Sequence, residues 1–171
     1  FTYAETSPWL YFMFWINTFF TVLGLFAVYS YALNKTYLNA RLIKPYSFNK
    51  EHKYPVLIYV YNGPGVQLIR NNWLASAPLW MYYLANQGYI VFTLDGRGSE
   101  NRGLDFEQVI FGELGKIEMQ DQVKGYEYLL DQDFIDPSRI AVHGWSYGGF
   151  MTTNLLVHHP NLFTCGVAGG P

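Results

Sequence analysis

One serine in this 171-residue chain sits in a setting suited to nucleophilic chemistry. Ser146 is the centre of Gly144-Trp145-Ser146-Tyr147-Gly148-Gly149, a G-x-S-x-G pattern. The residues before it, Arg139-Ile-Ala-Val-His143, read as an apolar strand, and Tyr147 to His158 as a helix. A serine at such a sharp strand-to-helix turn must hold a strained backbone, and glycines two residues to either side let the helix pass close to the strand. The exposed N–H groups at the helix start favour developing negative charge. That is the environment of acyl transfer, in which a hydroxyl attacks a carbonyl and a covalent acyl intermediate follows. The bare pattern recurs by chance; the strand before it and the helix after it give it weight.

A serine hydroxyl needs a base within hydrogen-bond reach and an orienting group behind that base. In the α/β-hydrolase arrangement signalled by this motif, the chain order is Ser, then Asp or Glu, then His. After Ser146 the histidines are His158 and His159, which close the helix begun at the elbow and suit the negative end of its dipole. His143 precedes the elbow and reads as a packed strand residue. Glu118 and Asp121 also precede the serine, on a helix, and read as structural. The triad Asp and His are therefore expected beyond Pro171. The single cysteine, Cys165, excludes an internal disulfide and a cysteine-based zinc site, and reads as a buried thiol. No cofactor and no metal are expected.

From about Lys35 the chain alternates strands and helices. Tyr54 to Tyr61 is a continuous apolar run, suited to a strand covered on both faces, and Asn62-Gly63-Pro64-Gly65 breaks it. Trp73 to Gln87 reads as a helix capped by Gly88. Tyr89 to Leu94 reads as a strand, and Glu118 to Asp131 as a helix with Met119, Val123, Tyr126 and Leu130 on one face. Asp136-Pro137 marks a turn. The strand before the elbow, the elbow helix and a strand from Leu162 to Ala168 follow. The fold class is α/β: a partial α/β-hydrolase, mostly parallel sheet with flanking helices, over residues 37–171.

Residues 1–36 differ in character. Trp9 to Leu33 carries no charge, is long enough for the roughly 20 apolar residues of a membrane helix, and has Trp9, Tyr11 and Trp15 near one end and Tyr29 and Tyr31 near the other. A membrane helix is expected; a buried core helix or paired strands are the alternatives, because Phe, Tyr, Trp and Val also favour sheet. The run is too long, and lacks the basic flank, for a cleaved signal peptide. Lys35, Arg41, Lys44, Lys50 and Lys53 all follow the segment, which by the positive-inside rule alone would leave the rest cytoplasmic. The chain begins at Phe1 and ends on Gly169-Gly170-Pro171 at a strand end, so it is expected to be part of something longer. Lys and Arg total 11 against 13 Asp and Glu, so no one-sign field suggests nucleic acid as a partner.

Several motifs in order resemble the dipeptidyl-peptidase branch of the prolyl oligopeptidase family of serine peptidases. They are Tyr61-Asn-Gly-Pro64, Asp95-Gly-Arg-Gly-Ser99, Leu114-Gly-x-x-Glu118-x-x-Asp121-Gln122, Gly144-Trp-Ser-Tyr-Gly-Gly149 and Val167-Ala-Gly-Gly-Pro171. The likeness runs from about Leu38 to Pro171. It implies Ser146 as nucleophile, the Tyr61 hydroxyl as one oxyanion donor and the Tyr147 backbone N–H as the other, with Arg97 holding loops through ion pairs. It also implies a peptide substrate with a free N-terminus, a homodimer, and a membrane-anchored protein with its catalytic part outside the cytoplasm. The anchor expected here, Trp9–Leu33, rests on its apolar length, since a membrane segment directly beside the hydrolase domain is not the family's arrangement. The expected activity is release of X-Pro or X-Ala dipeptides. The alternatives are another activity of the family, such as an acylaminoacyl peptidase or esterase, and an inactive membrane-anchored fragment acting as a binding or structural module. The family's propeller, its amine clamp and most of its proline pocket have no counterpart in these residues.

Overall fold

The computed structural model describes residues 36–171, together with the backbone of two short strands, β1 (Leu23–Gly24) and β2 (Ala27–Val28). The other strands are β3 (Leu38–Ile43), β4 (Tyr54–Tyr59), β5 (Ile90–Asp95), β6 (Ile135–Trp145) and β7 (Cys165–Gly169). The helices are α1 (Leu79–Asn86), α2 (Leu104–Gln108), α3 (Ile117–Leu130) and α4 (Tyr147–His158). They form one sheet in the order β1-β3-β5-β4-β6-β7, with β2 also on β3. From β5 to β7 all neighbours are parallel, and β3 joins β5 antiparallel. Parallel strands need crossovers, and α1, α3 and α4 supply them.

Side-chain alternation divides the core between the two faces. Ile90, Phe92 and Leu94 of β5 pack with Ile58, Val142, Leu129, Met151 and Leu155 in the larger cluster. Val91 packs with Ile43, Met81 and Ala85 in the smaller one. Every residue of β5 is buried, as a central strand covered on both faces requires. In β4, Tyr54, Val56 and Ile58 are buried while Pro55, Leu57 and Tyr59 are half-buried, so its α1 face is the thinner covering.

The expected helix from Trp73 to Gln87 is two pieces. A 3₁₀ turn spans Trp73–Ser76, and α1 begins only at Leu79. Pro78 is the cause: it keeps Ala77 extended at φ −72°, ψ 131°, where a helix cannot continue. Leu74, Ala75 and Ser76 all have positive φ, an uncommon run for residues with side chains. The buried Arg41 holds this turn, donating from Nη1 to the Ala75 carbonyl at 2.6 Å and from Nη2 to Thr93 Oγ1 at 3.1 Å. Burial lowers the Arg41 pKa.

The expected turn at Asp136-Pro137 is a bulge within β6. The register jumps from Tyr54 opposite Ile135 to Val56 opposite Ile140, and Asp136 Oδ1 accepts from the Ser138 N–H at 3.0 Å. Cys165 is exposed rather than buried, because β7 is the outermost strand on its side among the described residues.

Most of the stretch expected to form a membrane helix, Trp9–Leu33, lies outside the described residues. Where its backbone is described, at Leu23–Gly24 and Ala27–Val28, it is strand and not helix: Leu23 faces Ile43 and Ala27 faces Asn39. The free edge of β3 offers N–H and C=O partners, which corrects the helix reading for those residues in favour of paired strands. No helix among the described residues is long and apolar enough to cross a membrane.

A buried ion pair ties the β5 end to α3. Arg97 donates to Asp121 from its backbone N–H at 2.7 Å, from Nε at 3.0 and 3.1 Å and from Nη2 at 2.7 Å. Their side chains are 7% and 0% exposed. Removing one partner of such a pair strands the other without water. Asp121→Asn is expected to lower stability by about 3–5 kcal/mol in a denaturant melt. Replacing Lys116, in the exposed pair with Glu113, should leave the midpoint nearly unchanged.

Candidate active site

Ser146 stands at the junction of β6 and α4 with φ 56° and ψ −122°, outside the regions ordinarily open to residues with side chains. The surroundings over-determine this conformation. The Ser146 N–H donates to the Gly169 carbonyl at 2.8 Å, and the Ser146 carbonyl accepts from the N–H groups of Gly149 at 2.8 Å and Phe150 at 3.1 Å. The side chain is exposed, and its hydroxyl makes no hydrogen bond to any described residue.

The glycine spacing has a visible cause. A Cβ on Gly144 would lie 2.4 Å from the Val60 carbonyl oxygen, and one on Gly148 would lie 2.2 Å from the same oxygen. The end of β4 therefore fits between strand and helix only where both side chains are missing. Gly149 meets the other neighbour: its Cβ would lie 2.4 Å from the Gly169 oxygen.

Because Val60 is wedged there, the next residue, Tyr61, is delivered to the elbow. Its Cα would be 3.2 Å from a Gly148 Cβ. The Tyr61 ring lies over Gly63, whose Cβ would meet Tyr61 Cε1 at 2.5 Å, and is 6.2 Å from the Tyr147 ring at 45°. Its hydroxyl has no hydrogen-bond partner among the described residues and is a free donor. Asn62 then turns the chain at φ 56°, a left-handed conformation that asparagine tolerates better than most. The buried Asn62 Oδ1 accepts from Gln122 Nε2 at 2.6 Å and from the Gly96 N–H at 3.2 Å.

Tyr147 opens α4, so its N–H has no acceptor within the helix. Its hydroxyl donates to Glu118 Oε1 at 2.7 Å. Burial first, then the bond to Glu118 and the charge there, push the phenol well above its ordinary pKa, so it stays protonated and donating. Asp95, which accepts from the N–H groups of Leu68 at 3.0 Å and Ile69 at 2.8 Å, is raised by burial.

Of the residues singled out in the sequence, Ser146, Tyr147 and Tyr61 come together. The histidines do not join them by any hydrogen bond. His143 Nδ1 lies 2.7 Å from the Val167 carbonyl oxygen, with its ring against Tyr59 and Trp80, and His158 Nδ1 is 3.0 Å from the Asn154 carbonyl oxygen. Arg97 does hold a loop through an ion pair, and Asp121 is its structural partner. The sequence reading missed the hold of Gln122 on Asn62 and of Glu118 on Tyr147. Asparagine directly before Gly-Pro, at a position that must turn left-handed, was the available signal for the first.

A mostly parallel sheet flanked by helices, with a serine on a left-handed strand-to-helix turn, is the arrangement of the α/β-hydrolases. Within that class the chain belongs to the prolyl oligopeptidase family, whose model matches residues 76–171. It is 41% identical over 135 residues to dipeptidyl peptidase 8 of Mus musculus, covering 78% of this chain and 15% of that protein. It is 38% identical over 132 residues to prolyl endopeptidase FAP of Bos taurus, covering 77% of this chain and 17% of that protein. A solved structure from Bacteroides ovatus, assigned as a dipeptidyl aminopeptidase IV, superposes with a TM-score of 0.85 at 47% identity over 88% of this chain and 21% of that one. Porphyromonas gingivalis dipeptidyl peptidase 4 gives a TM-score of 0.78 at 31% identity, over 86% of this chain and 20% of that one. The chain thus spans about 15% of the length of the curated relatives it matches.

The close approach at Val60 generates a direct test. Gly148→Ala puts a methyl group against a backbone oxygen that has no room to retreat. It should cost about 1–3 kcal/mol or more, the usual range for overpacking, in a chemical denaturation melt.

Proposed function

We propose that this chain provides the nucleophile and the oxyanion hole of a serine exopeptidase that removes X-Pro or X-Ala dipeptides from peptides with a free N-terminus. The observation that carries the reading is the Ser146 backbone, held left-handed and exposed on a turn whose flanking glycines are forced by the Val60 carbonyl. The dipeptidyl peptidase names of the matched relatives support the substrate class.

In this mechanism Ser146 Oγ attacks the scissile carbonyl carbon. A C–O bond forms, and the hydroxyl proton passes to the histidine of the wider catalytic domain. The carbonyl π electrons move onto oxygen, where the Tyr61 O–H and the Tyr147 N–H donate to the resulting oxyanion. Collapse of the tetrahedral species breaks the C–N bond, and the leaving amine takes the proton. Water then repeats the sequence on the acyl-enzyme and frees the dipeptide. Preorganised donors help most in the transition state, because charge on that oxygen develops there.

Cleavage within a chain after proline is a second reading, favoured by the name of the FAP relatives. A Gly-Pro substrate with a blocked amine separates the two: exopeptidase action needs the amine free.

In the enzyme with its whole catalytic domain, Ser146→Ala should abolish labelling by a fluorophosphonate probe; labelling that survives would remove Ser146 as nucleophile. Tyr61→Phe keeps the ring and deletes one donor. It should lower kcat on a Gly-Pro chromogenic substrate by about 10²–10³ with little change in KM. A near-wild-type kcat would take Tyr61 out of the oxyanion hole.

A further inference from the structure

We infer that Glu118 is a positioning residue of the oxyanion hole, holding through the Tyr147 side chain both donors of the proposed site. The inference rests on the oxyanion roles proposed above for Tyr61 and Tyr147.

Glu118 lies in the first turn of α3 and is 0% exposed. Burying a carboxyl group is costly unless its oxygens are satisfied. Among the described residues no Lys, Arg or His forms an ion pair with it. Its hydrogen-bond partners among the described residues are the Tyr147 hydroxyl at 2.7 Å on Oε1 and the Gly115 N–H at 2.9 Å on Oε2. An apolar side chain would fill this site at lower cost, so what the carboxyl supplies is direction. It fixes the phenol, and with it the Cα–Cβ bond, of the residue whose peptide N–H follows the strained serine.

The grip is itself braced against the elbow helix. The Gly115 carbonyl accepts from Asn154 Nδ2 of α4 at 2.8 Å, so the turn that orients Glu118 is tied to the helix that Tyr147 begins. On its other side the Tyr147 ring meets Phe150 at 5.2 Å and Tyr61 at 6.2 Å. The ring held by Glu118 is thus the surface against which the Tyr61 ring rests. One helical turn further along α3, on the same face, Gln122 holds Asn62, the residue after Tyr61. A single rigid helix therefore grips the peptide neighbourhood of each donor, and a fixed spacing between donors is what preorganisation requires.

The test uses the enzyme with its whole catalytic domain and two readouts: kcat and KM on the Gly-Pro substrate, and the rate constant of fluorophosphonate labelling at Ser146. Glu118→Gln and Tyr147→Phe should each lower kcat and the labelling rate by about 10–100-fold, the scale of a reacting geometry displaced from a distance. KM should stay within about twofold, since ground-state binding is untouched. In the double variant the losses should not multiply, because both changes cut one link. Multiplying losses would mean that Glu118 acts by another route and would overturn the inference. Unchanged kcat in Tyr147→Phe overturns it as well, even if Glu118→Gln fails to fold. A fall in melting temperature with kcat intact assigns Glu118 to stability alone and has the same effect. Failure of the underlying reading looks different: Tyr61→Phe would be silent, or Ser146 would not label in the unmodified enzyme.

Discussion

The carbonyl oxygen of Val60 occupies the space that a side chain at Gly144 or Gly148 would need, with both missing Cβ positions within 2.4 Å of it. Everything at the candidate site follows from that wedge. It brings the end of β4 against the strand and helix on either side of Ser146, so the residue after Val60 arrives beside that serine. On the β7 side the Gly169 carbonyl receives the Ser146 N–H. The serine backbone is held in a sparsely populated conformation by these backbone groups.

Around the wedge the structure uses polar groups where an apolar core would be cheaper. Asn62, Asp95, Arg97, Glu118, Asp121 and Gln122 are all buried. Their bonds run between the loop after β4, the end of β5 with the loop after it, and α3, and through Glu118 reach the start of α4. Apolar packing would hold these segments together without fixing their directions, whereas hydrogen bonds between named atoms leave each loop few alternatives. The Asn62 Nδ2 and Gln122 Oε1 atoms are buried without partners among the described residues, so the network retains polar capacity close to Tyr61.

The parts of the site that were legible in the sequence are those governed by local sterics. The glycine spacing around Ser146 is forced by close approach, so it appears as a pattern within six residues. β5 was legible because a strand covered on both faces is mostly apolar, here Ile90, Val91, Phe92 and Leu94 around Thr93. The pairings that orient the site were not. Glu118 and Tyr147 are 29 positions apart, and Asn62 and Gln122 are 60 apart. Nothing local in either partner announces the other, and reading Glu118 as structural does not say what it holds. The helix assigned from Trp73 failed where apolar spacing continued across Ala77-Pro78 while the backbone could not. β3 went unread because Arg41 interrupts its apolar run, and that arginine is buried through bonds to Ala75 and Thr93 that only the fold provides.

The strand order also sets a sequence of events as the chain leaves the ribosome. β5 is the first parallel neighbour that β4 can meet, and β3 joins β5 on its far side. The other edge of β4 must wait for β6, whose Ile140 pairs with Val56 across the whole intervening length of α1, β5, α2 and α3. Until then a largely apolar strand presents unpaired N–H and C=O groups to anything nearby, the condition under which nascent chains pair with the wrong partner. Non-local parallel pairing of this kind is slow to form. Among the described strands that end with two neighbours, β4 therefore waits longest for its second, and over that interval it is the edge that a chaperone would shelter.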